Sequence, residues 1–444
     1  MRIIIAGGGE IGYQLASRLT RDHDVVVVEQ EAEALNRFER LDLQAAQGSP
    51  AHPDTLRRLN LAPSDTFIAC SESDEVNVIS CLSAKRLGAP RTFCFVTREE
   101  YYRSLCGDEG SGGALLDIDQ VIWPQHMLAE EIARVVLVPR AIDVEFFAGG
   151  RVLLLEYRLR PDSPLVGRPL SQLKLPRGVL AVAVSDGDRL TIPSGQTVFR
   201  EGQKVVFMGE DRALFKLQHG FIPDAAQKIR DVTIIGGGTV GLTLAKLLLQ
   251  REKLSLKLVE ISPRRCERLA AELPSALILN GDGTDLELFE AEQLHRSDVL
   301  VSVTTNDEKN LLATLLARQM QVPKIITRVD KPRNLRLFES VGIDVPLNMR
   351  FTAVETVLNS LLRTDVQLRA TVEHGKADVL EVVVPEGFVK TTLREMPTIE
   401  GAVVGAIVRR NSVIVPHGED VVKPGDRLFV FSTDEAADKV RNYF

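Results

Sequence analysis

The decapeptide Gly7-Gly8-Gly9-Glu10-Ile11-Gly12-Tyr13-Gln14-Leu15-Ala16 returns as Gly236-Gly237-Gly238-Thr239-Val240-Gly241-Leu242-Thr243-Leu244-Ala245, an offset of 229 residues. A glycine loop repeated in the same setting, after a short apolar run and before a helical pattern, marks the chain as a duplication of one folding unit. Ser64-Asp65 matches Ser297-Asp298, and Asp74-Glu75-Val76-Asn77 matches Asp307-Glu308-Lys309-Asn310, both at an offset of 233, so four residues entered on the way. The tails align at an offset of 223: Ile192-Pro193-Ser194-Gly195 with Val415-Pro416-His417-Gly418, and Glu201-Gly202-Gln203-Lys204 with Pro424-Gly425-Asp426-Arg427. Each half therefore holds two modules.

In the first module of each half, β-branched apolar runs alternate with helical patterns. The runs are Ile3–Ala6, Val25–Val28, Thr66–Cys70 and Phe93–Val96, with counterparts Val232–Ile235, Leu256–Val259, Val299–Val303 and Ile325–Ile326. Near-continuous apolar strands separated by amphipathic helices predict an α/β domain, a doubly wound parallel sheet covered on both faces. After Gly12, Leu15, Ala16 and Leu19 share one helix face while Arg18 and Arg21 turn away. In the second module the period changes to strand alternation with Gly and Pro turns, as in Gly178–Gly187, where Asp186-Gly187 signals a hairpin. These small modules read as α+β, with short helices expected at Leu170–Leu173 and Leu393–Met396. The resulting division is 1–137 and 229–363 for the Rossmann-like domains, with 138–222 and 366–444 for the small ones.

The chain's 444 residues exclude a single small module, and 44% hydrophobic with 26% charged residues is the composition of an ordinary folded protein. A formal charge of −7 has the wrong sign for neutralising nucleic-acid phosphates, and no basic-faced helix-turn-helix is evident, so nucleic acid is not an expected partner. The five cysteines form no C-x-x-C pair and no metal-ligand spacing with His; free thiols and no metal are expected. Only four apolar positions precede Gly7, too few for a signal peptide, and no apolar stretch approaches the roughly 20 residues of a bilayer span. A cytoplasmic location is expected, with any membrane role exercised through a partner.

The chemistry lies in the glycine loops. G-x-G-x-x-G directly after a strand and opening a helix lets the backbone approach a pyrophosphate, which the helix N-terminus then holds. About 20 residues on, Glu29 and Glu260 each end a second apolar strand, where a carboxylate can accept from a ribose 2′-hydroxyl and repel a 2′-phosphate; NAD(H) is favoured over NADP(H). Glycines at such loops also serve strand–helix packing alone. After the fourth strand, Ser71-Glu72-Ser73-Asp74 and Thr304-Thr305-Asn306-Asp307 read both as helix N-caps and as the far wall of the ligand crevice.

The duplicated glycine module, the Asp-Glu-x-Asn helix start and the small Gly/Pro-turn module after each copy resemble the TrkA family of Trk-type potassium uptake regulatory proteins over essentially the whole chain. Members carry two RCK (TrkA-N) domains, each followed by a TrkA-C domain. The resemblance implies a regulatory subunit binding NAD or NADH and ATP or ADP. It also implies a homotetrameric ring at the inner face of the membrane, gating a TrkH-like potassium translocator. Carried over by position, cofactor contacts fall on Gly7, Gly8, Gly9, Glu10, Ile11, Gly12, Glu29, Ser71 and Asp74 in the first half. In the second they fall on Gly236, Gly237, Gly238, Thr239, Val240, Gly241, Glu260, Gly281, Asp282, Thr304 and Arg328. The first half departs from the family pattern, with Gly48-Ser49 where the second has Gly281-Asp282, and Phe95 where the second has Arg328. It also carries eight extra residues around Cys106–Gly113, expected to form a loop.

An NAD-dependent oxidoreductase is the alternative. It would need a general acid or base beside the nicotinamide. His219, His374 and His417 lie in or beside the small modules, the last two each preceding a glycine as turn residues do. Cys70 ends the fourth strand of the first half, but Val303 stands in its place in the second, and a buried thiol is the expected state. A regulatory subunit needs no such group, only a ligand with different affinity for two conformations.

Overall fold

The computed structural model describes residues 1–106, 116–187, 189–223, 228–251, 253–361, 366–372, 376–410 and 412–444. The chain divides into two compact units, Met1–Leu128 with Asn348–Leu358, and Ala129–Leu347 with Asn359–Phe444. The helices Pro124–Leu137 and Met349–Leu361 are each divided between them. The inserted loop expected around Cys106–Gly113 falls largely outside the described residues.

The first unit is built on six parallel strands, Arg2–Ala6, Asp24–Glu29, Gln44–Gln47, Thr66–Ala69, Arg91–Phe95 and Gln120–Ile122. They lie in the order third, second, first, fourth, fifth, sixth. Ile3, Ile4, Ile5 and Val25–Val28 are buried on both faces, which is why these strands read as unbroken apolar runs. The helix Glu10–Leu19 buries Gly12, Leu15, Ala16 and Leu19, the face expected from their spacing. On the same unit Arg18 pairs with Glu355 from the returning segment Asn348–Leu358.

The second unit repeats that sheet with Asp231–Ile235, Ser255–Glu260, Leu277–Asn280, Val299–Ser302, Lys324–Arg328 and Val345–Leu347, in the same order and all parallel. Both sheets contain a third strand and a sixth that apolar periodicity does not mark. Gln44-Ala45-Ala46-Gln47 is a mostly exposed edge with no buried residue, so it carries no apolar signature.

Each small module is a five-stranded antiparallel sheet with a C-terminal helix. The first uses Asp143–Phe147, Val152–Arg158, Val179–Asp186, Arg189–Thr191 and Lys204–Gly209 with helix Asp211–Phe221. The second uses Val366–Val372, Ala377–Val383, Ala402–Arg409, Ser412–Ile414 and Arg427–Thr433 with helix Asp434–Tyr443. Strand order is identical in both, first, second, fifth, third, fourth. The expected hairpin forms at Asp186-Gly187, with Gly187 at φ +58°. The two sheets share one core, in which Leu154, Val182, Val206 and Met208 pack with Val379, Ala406, Phe429 and Phe431. A Cβ on Gly405 would lie 2.3 Å from the Met208 sulfur, so any side chain there would have to displace that of Met208 where the sheets approach.

Two expected helices are corrected. Leu170–Gln172 forms a single 3₁₀ turn. Leu393–Met396 is no helix; it is one turn after the strand Thr391–Thr392, in which the N–H groups of Glu395 and Met396 both donate to the Thr392 carbonyl. Pro397, with no N–H to donate, stops it there.

Candidate functional site

At the carboxyl end of each parallel sheet the chain passes through its glycine loop into a helix. Gly7 and Gly236 sit at φ +124° and +107°, a conformation L side chains rarely adopt. A Cβ on Gly12 would stand 2.0 Å from the Gly7 carbonyl oxygen, and one on Gly241 would stand 1.9 Å from that of Gly236. Folding alone therefore demands these four glycines. Gly9 and Gly238 differ: Gly9 has an ordinary φ of −69°, and a Cβ at either position would meet no atom within 4 Å. The space in front of the middle glycine is open in both halves. The helix Glu10–Leu19 begins behind Gly9 without a side-chain cap, leaving its N-terminal dipole facing that space.

The carboxylates expected to read a ribose close onto the loops. Glu29 Oε2 accepts from the Gly8 N–H at 2.5 Å, and Glu260 Oε2 from the Gly237 N–H at 2.9 Å. Their other oxygens accept backbone N–H groups of Gln30 and Glu31, and of Ser262. Glu260 is buried and is also paired with Arg265 at 3.1 Å; Glu29 is more exposed. Of the remaining loop residues, Glu10 pairs with Arg37, whose guanidinium lies over the Tyr13 ring, while Thr239 opens the second helix. Ile11 is half-buried and Val240 fully so, which leaves Val240 only its backbone to offer a ligand.

The opposite wall is held by two asparagines that the sequence reading did not single out. Asn77 Oδ1 accepts from the N–H and hydroxyl of Ser71, and its Nδ2 donates to the carbonyls of Ser71 and Phe95. Asn310 repeats this with Thr304 and the Arg328 carbonyl. The expected N-caps are Ser73 and Asn306, which accept from Val76 and Lys309 N–H groups. Asp74 is placed differently from the ligand-facing role expected of it. Its buried carboxylate accepts from the N–H groups of Thr97 and Arg98, as that of Asp307 does from Asp330 and Lys331, so both aspartates tie the fourth strand's turn to the end of the fifth. The repeated Asp-Glu-x-Asn spelling was the available signal, since one helical turn sets Asp and Asn on the same side.

The halves differ in charge. In the second, Asp282 is bonded to Lys309 at 2.9 Å and to Thr284, which hold its carboxyl below the usual carboxylate range. The buried Arg328 makes a two-pronged pair with Asp330 at 2.7 and 3.0 Å. In the first, Phe95 fills the equivalent position and Gly48 stands at φ +152° against Thr55.

The groups weighed for catalysis lie elsewhere or are inert. Burial, and secondarily the charge of Glu29, push the Cys70 thiol up to about 12, and all five cysteines are unpaired. The exposed His219 bonds the Phe215 carbonyl of its own helix, and His417 sits in a surface turn 3.8 Å from Asp420. His374 lies outside the described residues. Among the described residues no cluster of His, Cys, Asp and Glu could hold a metal, and no helix is long and apolar enough to cross a membrane.

Residues 3–124 and 232–348 match the TrkA-N domain family, and 154–219 and 379–444 the TrkA-C domain family. The chain is 35% identical over 453 aligned residues to Trk system potassium uptake protein TrkA homolog 2 of Methanosarcina mazei, with all of both chains covered. It is 36% identical over 446 aligned residues to the TrkA homolog of Archaeoglobus fulgidus, again with full coverage. Among solved structures, the GsuK channel bound to NAD superposes with a TM-score of 0.62 at 20% identity, covering 100% of this chain and 78% of that one, a likeness of fold. With both domain types matched twice in alternation and full-length relatives above 30% identity, the chain belongs to the TrkA family of Trk potassium uptake proteins.

Proposed function

We propose that this chain is a nucleotide-sensing regulatory subunit of a Trk-type potassium uptake system. In this reading the Rossmann-like domains, 1–137 and 229–363, bind NAD or NADH and ATP or ADP, and the TrkA-C domains, 138–222 and 366–444, transmit the result. The observation that carries the reading is the open space before Gly9 and Gly238. Packing explains the other loop glycines, whereas a pyrophosphate lying on the backbone explains why no side chain stands at these two. The NAD-bound GsuK channel, of the same fold, supports the choice of ligand class.

The contacts proposed for the first half are the backbone of Gly7–Gly12, the Glu29 carboxylate on a ribose and Ser71 on the opposite wall. For the second they are the backbone of Gly236–Gly241, Glu260, Gly281-Asp282, Thr304 and Arg328. Asp74 is assigned the shaping of that wall. Arg265, Lys309 and Arg328 give the second crevice cations that an anionic ligand can recruit from their present partners, so the halves are expected to differ in nucleotide preference.

The subunit is proposed to act without turnover, as a homotetramer docked at the cytoplasmic face of a TrkH-like translocator. The equivalent helices Asp74–Arg86 and Asp307–Gln319 expose Ile79 and Leu312 at matching positions, apolar surface suited to contacts between copies. The test is calorimetric titration with NADH, NAD, ATP and ADP, followed by potassium flux through the co-reconstituted translocator. Nucleotide-dependent flux is the expected result; flux indifferent to the subunit would refute the proposal.

A further inference from the structure

Within the second unit, a cavity of about 270 Å³ opens where the first TrkA-C domain meets the second Rossmann-like sheet. Its cationic lining is Arg140, Arg158 and Arg160 from the small domain and Lys324 from the sheet; Asp344 and Glu201 are its acids. We propose that it is a binding site for a small phosphate-bearing anion, separate from the nucleotide crevices and independent of the reading given above for them.

Three observations carry the assignment. The first is the floor. Lys324 is 3% exposed, and its ammonium donates to the carbonyls of Val135 and Val138 at the end of the helix Pro124–Leu137, while the Asp344 carboxylate accepts the Ile325 N–H. Burial lowers the Lys324 amine to about 7, against the opposing pull of Asp344 and with Arg140 adding to the lowering, so a bound anion would favour its charged form.

The second is the rim, which the fold does not require. Arg158 pairs across the sheet with Lys204, and the structurally equivalent partner of Arg427 in the other small domain is Val383. Leu159 and Val384 receive the same hydrogen bonds, from Gly202 and Gly425, so the residue equivalent to Arg160 is Pro385. The same architecture thus forms without either arginine. Arg158 reaches the Gly202 carbonyl at 3.4 Å and Arg160 is paired with Asp162, both at the surface, where a phosphate oxygen can compete for the guanidinium.

The third is Arg140, which occupies the left-handed region at φ +62° just after the helix and donates to the Pro323 carbonyl at 2.7 Å. Glycine or asparagine is the ordinary residue at such a helix end; arginine there is best explained by what its side chain does. The cavity also lies at the start of the strand Lys324–Arg328, whose other end carries Arg328 at the second crevice. An anion here is therefore positioned to bias the strand that the nucleotide site uses.

The experiment is calorimetric titration of the full chain with pyrophosphate, inorganic phosphate and sulfate, with and without saturating NAD. It is repeated on Arg158→Ala/Arg160→Ala and on Lys324→Met, with circular dichroism as the check of folding. One pyrophosphate per chain that NAD does not displace, weakened at least about tenfold in the folded double-arginine variant, is the expected result. No heat with the wild-type chain, displacement by NAD, or unchanged affinity in the double variant would overturn the site. Loss of NAD binding itself, with pyrophosphate retained, would refute the nucleotide reading and leave this one standing.

Discussion

The Gly7 carbonyl oxygen lies 2.0 Å from the point where a Cβ on Gly12 would project, whereas the same construction on Gly9 reaches nothing within 4 Å. Two glycines of one motif thus answer to different physics. Gly12→Ala, and Gly241→Ala in the second half, must push a strand end from a helix and should cost about 2–4 kcal/mol in denaturant unfolding. Gly9→Val and Gly238→Val should leave stability within about 1 kcal/mol and remove nucleotide binding from the altered half only. Unchanged titration stoichiometry in both valine variants would contradict this.

Asn310 is fully buried and joins the Thr304 turn to the Arg328 carbonyl through both ends of its amide. Asn310→Ala orphans buried backbone groups, each worth roughly 1–3 kcal/mol, so a fall of about 2–4 kcal/mol in stability is expected. Asn310→Asp sets a buried carboxylate oxygen against the Thr304 and Arg328 carbonyls and should cost at least as much as alanine. Thermal unfolding orders the three proteins.

Lys324 provides a pH signature. Its amine is lowered from 10.5 to about 7 by burial, so between those values the unfolded chain binds the extra proton and stability rises with pH; below about 7 both states are charged and the cost is present in full. Relative to Lys324→Met, the wild type should gain on the order of 3–5 kcal/mol as pH rises from 7 towards 10.5. Midpoints of unfolding measured for the two proteins across that range should converge upward for the wild type; parallel profiles would mean the amine stays charged.

Assembly is expected to be tetrameric and to use the apolar positions repeated on equivalent helices. Ile79→Glu with Leu312→Glu should lower the mass seen by light scattering without lowering the helical signal. A stable wild-type monomer at micromolar concentration with nucleotide present would exclude the ring.

Incubation with NADH and ATP should show neither steady loss of nicotinamide absorbance nor phosphate release. Cys70, beside the first glycine loop, is buried against the Gly7 carbonyl with its thiol raised to about 12, unsuited to acid–base work near neutrality. Sustained turnover would restore the oxidoreductase reading.

Local pattern determined much of this protein. Strands buried on both faces must be unbroken apolar runs, a loop whose backbone turns through positive φ must place glycine at Gly7 and Gly236, and a repeated spelling must fold twice; all of this is written within a few residues of where it acts. What tertiary structure decided depends on partners distant in sequence. Asp74 reads as part of a cap and crevice wall, yet its carboxylate is taken by backbone N–H groups 23 and 24 residues away, because the fifth strand ends beside it. Gln44–Gln47 becomes a strand only because the edge of the second strand offers hydrogen-bond partners. Lys324 looks like an ordinary strand-start lysine until a helix end and a neighbouring domain exclude water from its amine. Each backbone conformation has local causes, but burial and charge compensation are properties of whatever the finished fold brings alongside.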